Sequence, residues 1–368
     1  MIENWNSVNI ISEFSENGTS FYSINSNTLT NHYYIISSEE SRSLMNRPEV
    51  VGYGVYTSLL GPSCRALNCL NKNDKIHSVS ILNILRGALN FPIEEACNLN
   101  NIAVGDISFL SCERTFDSNG DINGLAVKYE KIAAINDATL MIGDIIASGE
   151  TLVECLRHVT DYYQQNNTSL KKIVIFTIGG THAIPLLENL TKEIRGYWPD
   201  FEGFITIFYE GIFSCYEPGD NGISGINRPL IDFIWRDGII SPEFRRQILA
   251  QQNALFEKCI IYDGGARRFN IAEHVDEVLE FWNGILKRAN KINMQDLLEE
   301  KLGHKLPASY EDWLTSCHYN KLSEDETRTL YQQELDFIES LKGVTLEQIA
   351  KQRIEEFTSS LKKKIFIP

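Results

Sequence analysis

Several features that would assign this chain of 368 residues to a class of protein are missing from it. No apolar run approaches the roughly 18–20 residues that cross a bilayer, so the sequence predicts no membrane-spanning helix. Residues 1–6 contain no basic segment that leads into an apolar one, so we expect no secretory signal and a cytoplasmic location. Walker loops, Gly-x-Ser-x-Gly elbows and metal-binding histidine pairs are also absent from the sequence.

Positive charge is scarce as well. The chain has 34 Lys and Arg residues against 49 Asp and Glu residues, which gives a formal net charge of −15 at pH 7. This balance argues against a protein that binds nucleic acid or anionic membranes in general. A polyanionic substrate would have to be held by a local positive site.

The eight cysteines are scattered and form no Cys-x-x-Cys pair. We therefore expect free thiols in a reducing compartment rather than disulfides or a zinc site. Hydrophobic residues make up 43% of the chain and charged residues 23%, as in ordinary globular proteins, and the length allows two domains.

The middle of the chain alternates between strand-like and helix-like segments. Apolar runs typical of buried strands occupy five segments, at 78–85, 104–110, 140–144, 171–178 and 204–209. The spacing from Gly54 to Leu70 is helical, although we expect Pro62 to interrupt it. This alternation predicts an α/β fold with a mostly parallel sheet flanked by helices.

The chain divides into three parts by pattern. Residues 1–50 form either a hood over a site or irregular cover. The first thirty are rich in Asn, Ser and Thr, and a short strand is predicted at 33–36. Residues 51–269 carry the strand and helix alternation. In residues 270–368 the strand pattern ends, and we predict a helical C-terminal domain. Three capping-box spacings support it, at Asn270…Glu273, Ser323…Glu326 and Thr345…Gln348.

The most informative segment runs from Leu140 to Leu152. Its apolar beginning predicts a buried strand that ends near Asp144, and a helical pattern starts at Leu152. Small and hydroxyl residues fill the turn at 147–151. A strand, such a turn and a helix N-terminus together form an anion site, because backbone N–H groups and the helix dipole point at the ligand. Asp144 is placed to accept from sugar hydroxyls or to help to hold Mg²⁺.

This segment resembles the 5-phosphoribosyl-1-pyrophosphate (PRPP) signature of the type I phosphoribosyltransferases. The resemblance implies that Asp144 contacts the ribose and that the 5-phosphate is bound by a loop of five residues, Ala147, Ser148, Gly149, Glu150 and Thr151. The family usually has two acidic residues, whereas the first position here is Gly143. Several purine-specific members carry an Asp in the loop. Ala147 stands in that place, which argues against their acid/base arrangement.

A second element follows the predicted strand at 78–85. Arg86 and Gly87 stand where the family builds its pyrophosphate loop, one strand–helix unit ahead of the PRPP-like turn. Exposed backbone N–H groups and a cation would stabilise the charge that gathers on the leaving group. An Arg-Gly pair after a strand is also common in ordinary turns. The assignment therefore depends on the position of this pair, one strand–helix unit ahead of the PRPP-like turn.

The segment between these two elements resembles the mobile arm of uracil phosphoribosyltransferases, which closes over PRPP and excludes water. Arg114, Lys128 and Lys131 are the candidate phosphate clamps, and Arg114 is also a candidate catalytic residue. A solvated polar hairpin is the alternative for each of them.

The acceptor site is predicted on a loop after the last parallel strand. Tyr216, Gly219 and Asp220 belong to a Pro-Gly-rich loop that is loosely similar to the base-reading loop of uracil phosphoribosyltransferases. A plain surface turn explains the same residues. His182, at the end of another strand, is a weaker candidate, because a histidine at a helix start is usually structural.

The resemblance implies an enzyme that transfers the phosphoribosyl group from PRPP to a base-like acceptor with release of pyrophosphate, using Mg²⁺ held at Asp144. Arg86, Asp144 and Arg114 are its candidate catalytic residues. The alternative is a regulatory protein that senses PRPP or a nucleotide without catalysis. The apolar stretch from Phe281 to Leu286 must be buried, first against the protein's own core and second in a dimer contact. We expect a homodimer, with this stretch as the first place to look.

Overall fold

A computed structural model describes residues 7–74, 76–116, 122–216, 222–223, 225, 233–258 and 270–364. The strands in these ranges form one sheet and are β1 (Asn9–Glu16), β2 (Thr19–Asn25), β3 (His32–Ser38), β4 (Ser78–Leu85), β5 (Ala103–Phe116), β6 (Ile122–Lys131), β7 (Ala138–Ile146), β8 (Leu170–Gly180), β9 (Gly203–Cys215) and β10 (Phe233–Ile240). The helices are α1 (Glu39–Asn46), α2 (Tyr53–Asp74), α3 (Ile93–Leu99), α4 (Glu150–Gln165), α5 (Ala183–Tyr197), α6 (Pro242–Leu249), α7 (Ile271–Arg288), α8 (Met294–Leu302), α9 (Tyr310–Ser316), α10 (Glu324–Ser340) and α11 (Leu346–Lys364).

The sheet is mixed. Its order is β1-β2-β3-β9-β8-β7-β4-β5-β6, and β10 also pairs with β9. The six strands from β3 to β5 in this order pair in parallel. Antiparallel pairing adds β1 and β2 at one edge, β6 at the other, and β10 beside the end of β9. The α/β class predicted from the sequence is confirmed, but the sheet is partly antiparallel.

The predicted strands and helices of the parallel part are present, with small shifts at their ends. Pro62 lies inside the continuous helix α2, so the predicted interruption is wrong. The strand predicted at 33–36 is present as β3. Residues 9–25, which have little periodicity in sequence, form two further strands that extend the sheet. Most residues of β1 are exposed or half-buried, which explains why apolar alternation did not reveal that strand.

Two apolar cores cover the faces of the sheet. One contains Phe91, Met141 and Trp282, and the other contains Ile142, Leu156 and Trp313. Helices from the C-terminal part therefore contribute to both cores. Phe281 and Trp282 are 5% and 0% exposed within the chain itself, so these two residues are buried against the protein's own core and are not available as a dimer contact. Homodimerisation stays a prediction, and so do the domain boundaries.

The predicted helix caps at Asn270, Ser323 and Thr345 are confirmed, because each side chain accepts from the backbone N–H three residues on. The seven cysteines in the described ranges are free thiols, and Cys259 lies outside those ranges. No helix in the part of the chain that the structure describes is both long and apolar enough to cross a bilayer.

Candidate functional site

Two loops meet at the carboxyl ends of β4 and β7. These strands are parallel neighbours, with Leu82 opposite Ile142, so the segments that follow them leave the sheet at the same edge. Arg86 and a 3-10 turn, Gly87–Asn90, follow β4, and the 147–151 loop follows β7. Together they line a cavity of about 320 Å³, which we call the loop cleft. Its walls are residues 84–87, 144–149, 151 and 152.

The 147–151 loop leads directly into α4. Gly149 has a left-handed backbone, with φ of +85°, immediately before the helix begins. It also packs against α5, since a Cβ on Gly149 would lie 3.2 Å from the Cα of Ala183. Glycine meets both demands. Glu150 is exposed and does not line the loop cleft. The other four predicted phosphate-binding residues line it, namely Ala147, Ser148, Gly149 and Thr151.

The first turn of α4 adds backbone donors to this wall. The first N–H groups of a helix have no carbonyl partner within the helix, and the helix dipole is positive at this end. Ser148 and Thr151 contribute hydroxyl groups nearby. An anion at this wall would therefore meet donors and positive potential in a chain whose net charge is −15.

Asp144 lies between the two loops. Its Oδ1 accepts a hydrogen bond of 2.8 Å from the backbone N–H of Ile145. Gly87 lies so close to this oxygen that a Cβ on Gly87 would overlap it and would lie 3.3 Å from the Asp144 Cγ. Desolvation in this position raises the pKa of Asp144 to about 7, and the hydrogen bond from Ile145 opposes the shift. The carboxyl group therefore changes charge near neutral pH.

Arg86 and the following turn form the other wall. The peptide between Leu85 and Arg86 is cis. The N–H of Leu89 donates to the Arg86 carbonyl at 3.1 Å, and the N–H of Phe91 donates to the Ala88 carbonyl at 3.0 Å. The structure thus brings the predicted pyrophosphate-binding pair, Arg86 and Gly87, into one cavity with Asp144. The binding roles themselves stay predictions.

Gly143 explains why this site has one acidic residue at the end of β7. The residue is buried, and a Cβ on it would overlap the Cβ of Phe91 and lie 2.7 Å from its Cγ. A carboxylate at residue 143 would not fit unless Phe91 moved. Phe91 was not a sequence-predicted site residue. The available signal was a glycine inside a buried strand, which often marks the close approach of another segment.

The β5–β6 hairpin is long, but the predicted clamps do not line the loop cleft. Lys128 is exposed and forms an ion pair of 3.2 Å with Glu113, and Lys131 is also exposed. The Arg114 backbone pairs with Leu125, and its side chain lies outside what the structure describes. A solvated hairpin accounts for Lys128 and Lys131 in this conformation.

The predicted acceptor loop is described only in part. Gly219 and Asp220 lie outside the described residues. Tyr216 is buried, and its hydroxyl donates to Glu300 of α8 at 2.9 Å. The same carboxylate accepts from the N–H of Ile223 at 2.6 Å. The Tyr216 hydroxyl is therefore engaged by the C-terminal helices and does not line the loop cleft.

The residues present suit Mg²⁺ that is shared with a phosphorylated ligand. Within the described ranges, no group of three or more His, Cys, Asp or Glu side chains could form a cage around a metal ion. Mg²⁺ is commonly held by one or two carboxylates together with substrate phosphates. Asp144 supplies one such carboxylate in the loop cleft.

No protein-family model matches the sequence, and no curated protein matches it. Among solved structures, the chain is similar to the AQ2163 protein from Aquifex aeolicus at 13% identity and a TM-score of 0.31, over 46% of this chain and 81% of that one. It is similar to a hypoxanthine phosphoribosyltransferase from Staphylococcus aureus at 14% identity and a TM-score of 0.25, over 35% of this chain and 65% of that one.

A purine phosphoribosyltransferase from Pyrococcus horikoshii gives 16% identity and a TM-score of 0.25, over 33% of this chain and 73% of that one. The chain thus spans less than two thirds of the Staphylococcus aureus protein.

Proposed function

We propose that this protein is a phosphoribosyltransferase. It would transfer the phosphoribosyl group of PRPP to a base-like acceptor and release pyrophosphate. The observation that carries the proposal is the loop cleft, where the Arg86–Gly87 turn, Asp144 and the 147–151 loop line one cavity. The two loops lie at the carboxyl ends of neighbouring parallel strands, β4 and β7.

Each wall of the loop cleft suits one part of PRPP. The hydroxyls and N–H groups of the 147–151 loop would bind the 5-phosphate. Asp144 would accept from the ribose hydroxyls. Arg86 and the backbone of Gly87 would stabilise the pyrophosphate as the bond from the anomeric carbon to oxygen breaks and the bond to the acceptor nucleophile forms.

Catalysis in this proposal depends on positioning and on charge. The transition state is oxocarbenium-like, and no covalent bond to the protein forms. The side chains orient the two reactants and exclude water from the anomeric carbon. Mg²⁺ bound through Asp144 and the substrate phosphates would neutralise part of the leaving-group charge.

A second candidate is a regulatory protein that binds PRPP or a nucleotide without catalysis. Gly143 favours it, because a site with one carboxylate at the end of β7 offers fewer ribose contacts. The enzyme is favoured by Arg86, which lines the loop cleft where a leaving pyrophosphate would lie. A sensor has no need to stabilise a leaving group.

The test is a coupled assay for pyrophosphate release with Mg·PRPP and a panel of purine, pyrimidine and other nitrogen-ring acceptors. The enzyme predicts release that depends on one class of acceptor and is lost in Arg86→Ala. The sensor predicts saturable PRPP binding with no release for any acceptor. Lack of PRPP binding would reject the enzyme and a PRPP sensor, and would leave a nucleotide or a different phosphorylated sugar as the ligand of the loop cleft.

A further inference from the structure

Two consecutive residues of β7 contact the two ends of the turn that follows Arg86. Asp144 meets Gly87 at the start of the turn, and Gly143 meets Phe91 immediately after its end. A Cβ added to either glycine would overlap its partner, so both contacts depend on the absence of a side chain. The turn is therefore fixed to β7 at two points.

Phe91 is itself held firmly. Its side chain is 5% exposed, and its ring centroid lies 6.1 Å from that of Tyr209, which is fully buried. Its N–H donates to the Ala88 carbonyl at 3.0 Å, which ties the buried ring to the backbone of the turn. A displacement of the Phe91 side chain would consequently move the turn as well.

We propose that Phe91, seated on the bare Cα of Gly143, is a positioning residue that holds the Arg86–Asn90 turn against Asp144. It thereby sets the separation between the pyrophosphate and ribose subsites. The catalytic part of this inference rests on the proposed function. The packing of Phe91, Gly143 and Asp144 does not depend on that function and can be measured without substrate.

The positioning role of Phe91 explains why Gly143 stands at the first acidic position of the PRPP signature. The resemblance to phosphoribosyltransferases alone would expect Gly143→Asp to restore a ribose contact and to strengthen PRPP binding. From the packing we expect Gly143→Asp to weaken PRPP binding, because the new side chain must displace Phe91 and with it the turn. Gly143→Asp therefore separates the two expectations by the sign of its effect on PRPP affinity.

The principal experiment compares Gly143→Ala with Gly196→Ala in the full chain. Gly196 lies in α5, where an added Cβ would have nothing within 4 Å, so it is a matched glycine control. We expect Gly143→Ala to lower kcat/KM for Mg·PRPP on the order of 10²-fold, as small misplacements of catalytic groups do, with both kcat and KM affected. Gly196→Ala should leave both constants unchanged.

A second readout needs no substrate. Hydrogen exchange of the Phe91 backbone N–H, which donates to the Ala88 carbonyl at 3.0 Å, should have the same rate in the wild type and in Gly196→Ala. In Gly143→Ala it should be faster on the order of 10-fold, because displacement of the Phe91 ring loosens the turn. Unchanged exchange together with unchanged PRPP kinetics in Gly143→Ala would overturn the proposal.

Phe91→Leu keeps the test decisive if Gly143→Ala does not fold. Leucine preserves an apolar contact but removes the ring, so the same changes should appear with smaller size. A folded Phe91→Leu with wild-type PRPP kinetics and wild-type exchange of the residue 91 N–H would also overturn the proposal. If the wild type does not bind PRPP, the proposed function fails, whereas the exchange rates still decide whether Phe91 positions the turn.

Discussion

Gly87 and the carboxylate of Asp144 are in direct contact, so closely that a Cβ on Gly87 would overlap Oδ1. The contact joins the turn after β4 to the end of β7, two segments that are 57 residues apart by their numbers in the chain. The proposed pyrophosphate and ribose subsites are therefore one structural unit.

Arg86→Ala should lower turnover more than it lowers PRPP affinity. If Arg86 stabilises the departing pyrophosphate, its contribution is largest in the transition state, and a loss on the order of 10²-fold in kcat is typical of one such donor. Steady-state kinetics and calorimetry on the same preparation separate the two effects. Lys192→Ala, an exposed residue of α5, is the control for loss of a positive charge. Near-normal turnover in Arg86→Ala would contradict the proposed role of Arg86 and leave it a structural one.

The stability of the protein should depend on pH through Asp144 in a defined direction. Its pKa is about 7 in the folded protein against an ordinary value of 3.8, so the folded state keeps a proton that the unfolded state has lost. The free energy of unfolding from this group therefore falls as pH rises from about 4 to about 7. Asp144→Asn removes this dependence.

Urea denaturation of the wild type and Asp144→Asn between about pH 4.5 and about pH 8, a range that covers most of this window, measures the effect. The stability of the variant relative to the wild type should increase across this range. The comparison between the two proteins matters because burial also raises the pKa of Glu210 to about 7, and that contribution is common to both. A difference that does not vary with pH would contradict the prediction.

Trp282→Ala should destabilise the whole protein by about 3–5 kcal/mol, as large-to-small changes at a fully buried aromatic residue do. The side chain is 0% exposed and its Nε1 donates to Glu257 at 2.6 Å. Thermal or urea unfolding checks the value, with Tyr197→Ala, 56% exposed in α5, as the control near zero. A separate, low-temperature transition confined to the C-terminal helices would show instead that residues 270–368 unfold on their own.

Homodimerisation remains a prediction with no interface assigned. Sedimentation velocity of the full chain at micromolar concentration decides it, and the expected result is a species of twice the chain mass of 41.9 kDa. The interface would not involve Phe281 or Trp282, since both are buried within the chain. A single monomeric species would contradict the prediction.

The sequence was most informative where local pattern and burial agree. Strand β4 was predicted at 78–85 and lies at Ser78–Leu85, because its apolar run is buried in the parallel part of the sheet. The two loops of the loop cleft were also assigned correctly to the ends of parallel strands. Most of β1 is not buried, and its pairing with β2 comes from backbone hydrogen bonds that an apolar pattern does not encode.

Tertiary contacts account for what the sequence could not predict about the site. The Tyr216 hydroxyl bonds to Glu300, which lies 84 residues further along the chain. The contact between Phe91 and Gly143 likewise depends on how the turn after β4 packs against β7. Such pairings follow from packing across the sheet, and spacing along a single sequence does not reveal them.

The most direct test of the central claim is calorimetric titration of the wild type and Asp144→Asn with Mg·PRPP. Ribose 5-phosphate is the comparison ligand because it lacks the pyrophosphate, and Asp161→Asn, at an exposed position in α4, is the control variant. A phosphoribosyltransferase with this site should show saturable binding of Mg·PRPP to the wild type and to Asp161→Asn, clearly tighter than binding of ribose 5-phosphate, and much weaker binding to a folded Asp144→Asn. Equal Mg·PRPP affinity in the wild type and Asp144→Asn, or no binding to the wild type, would contradict it.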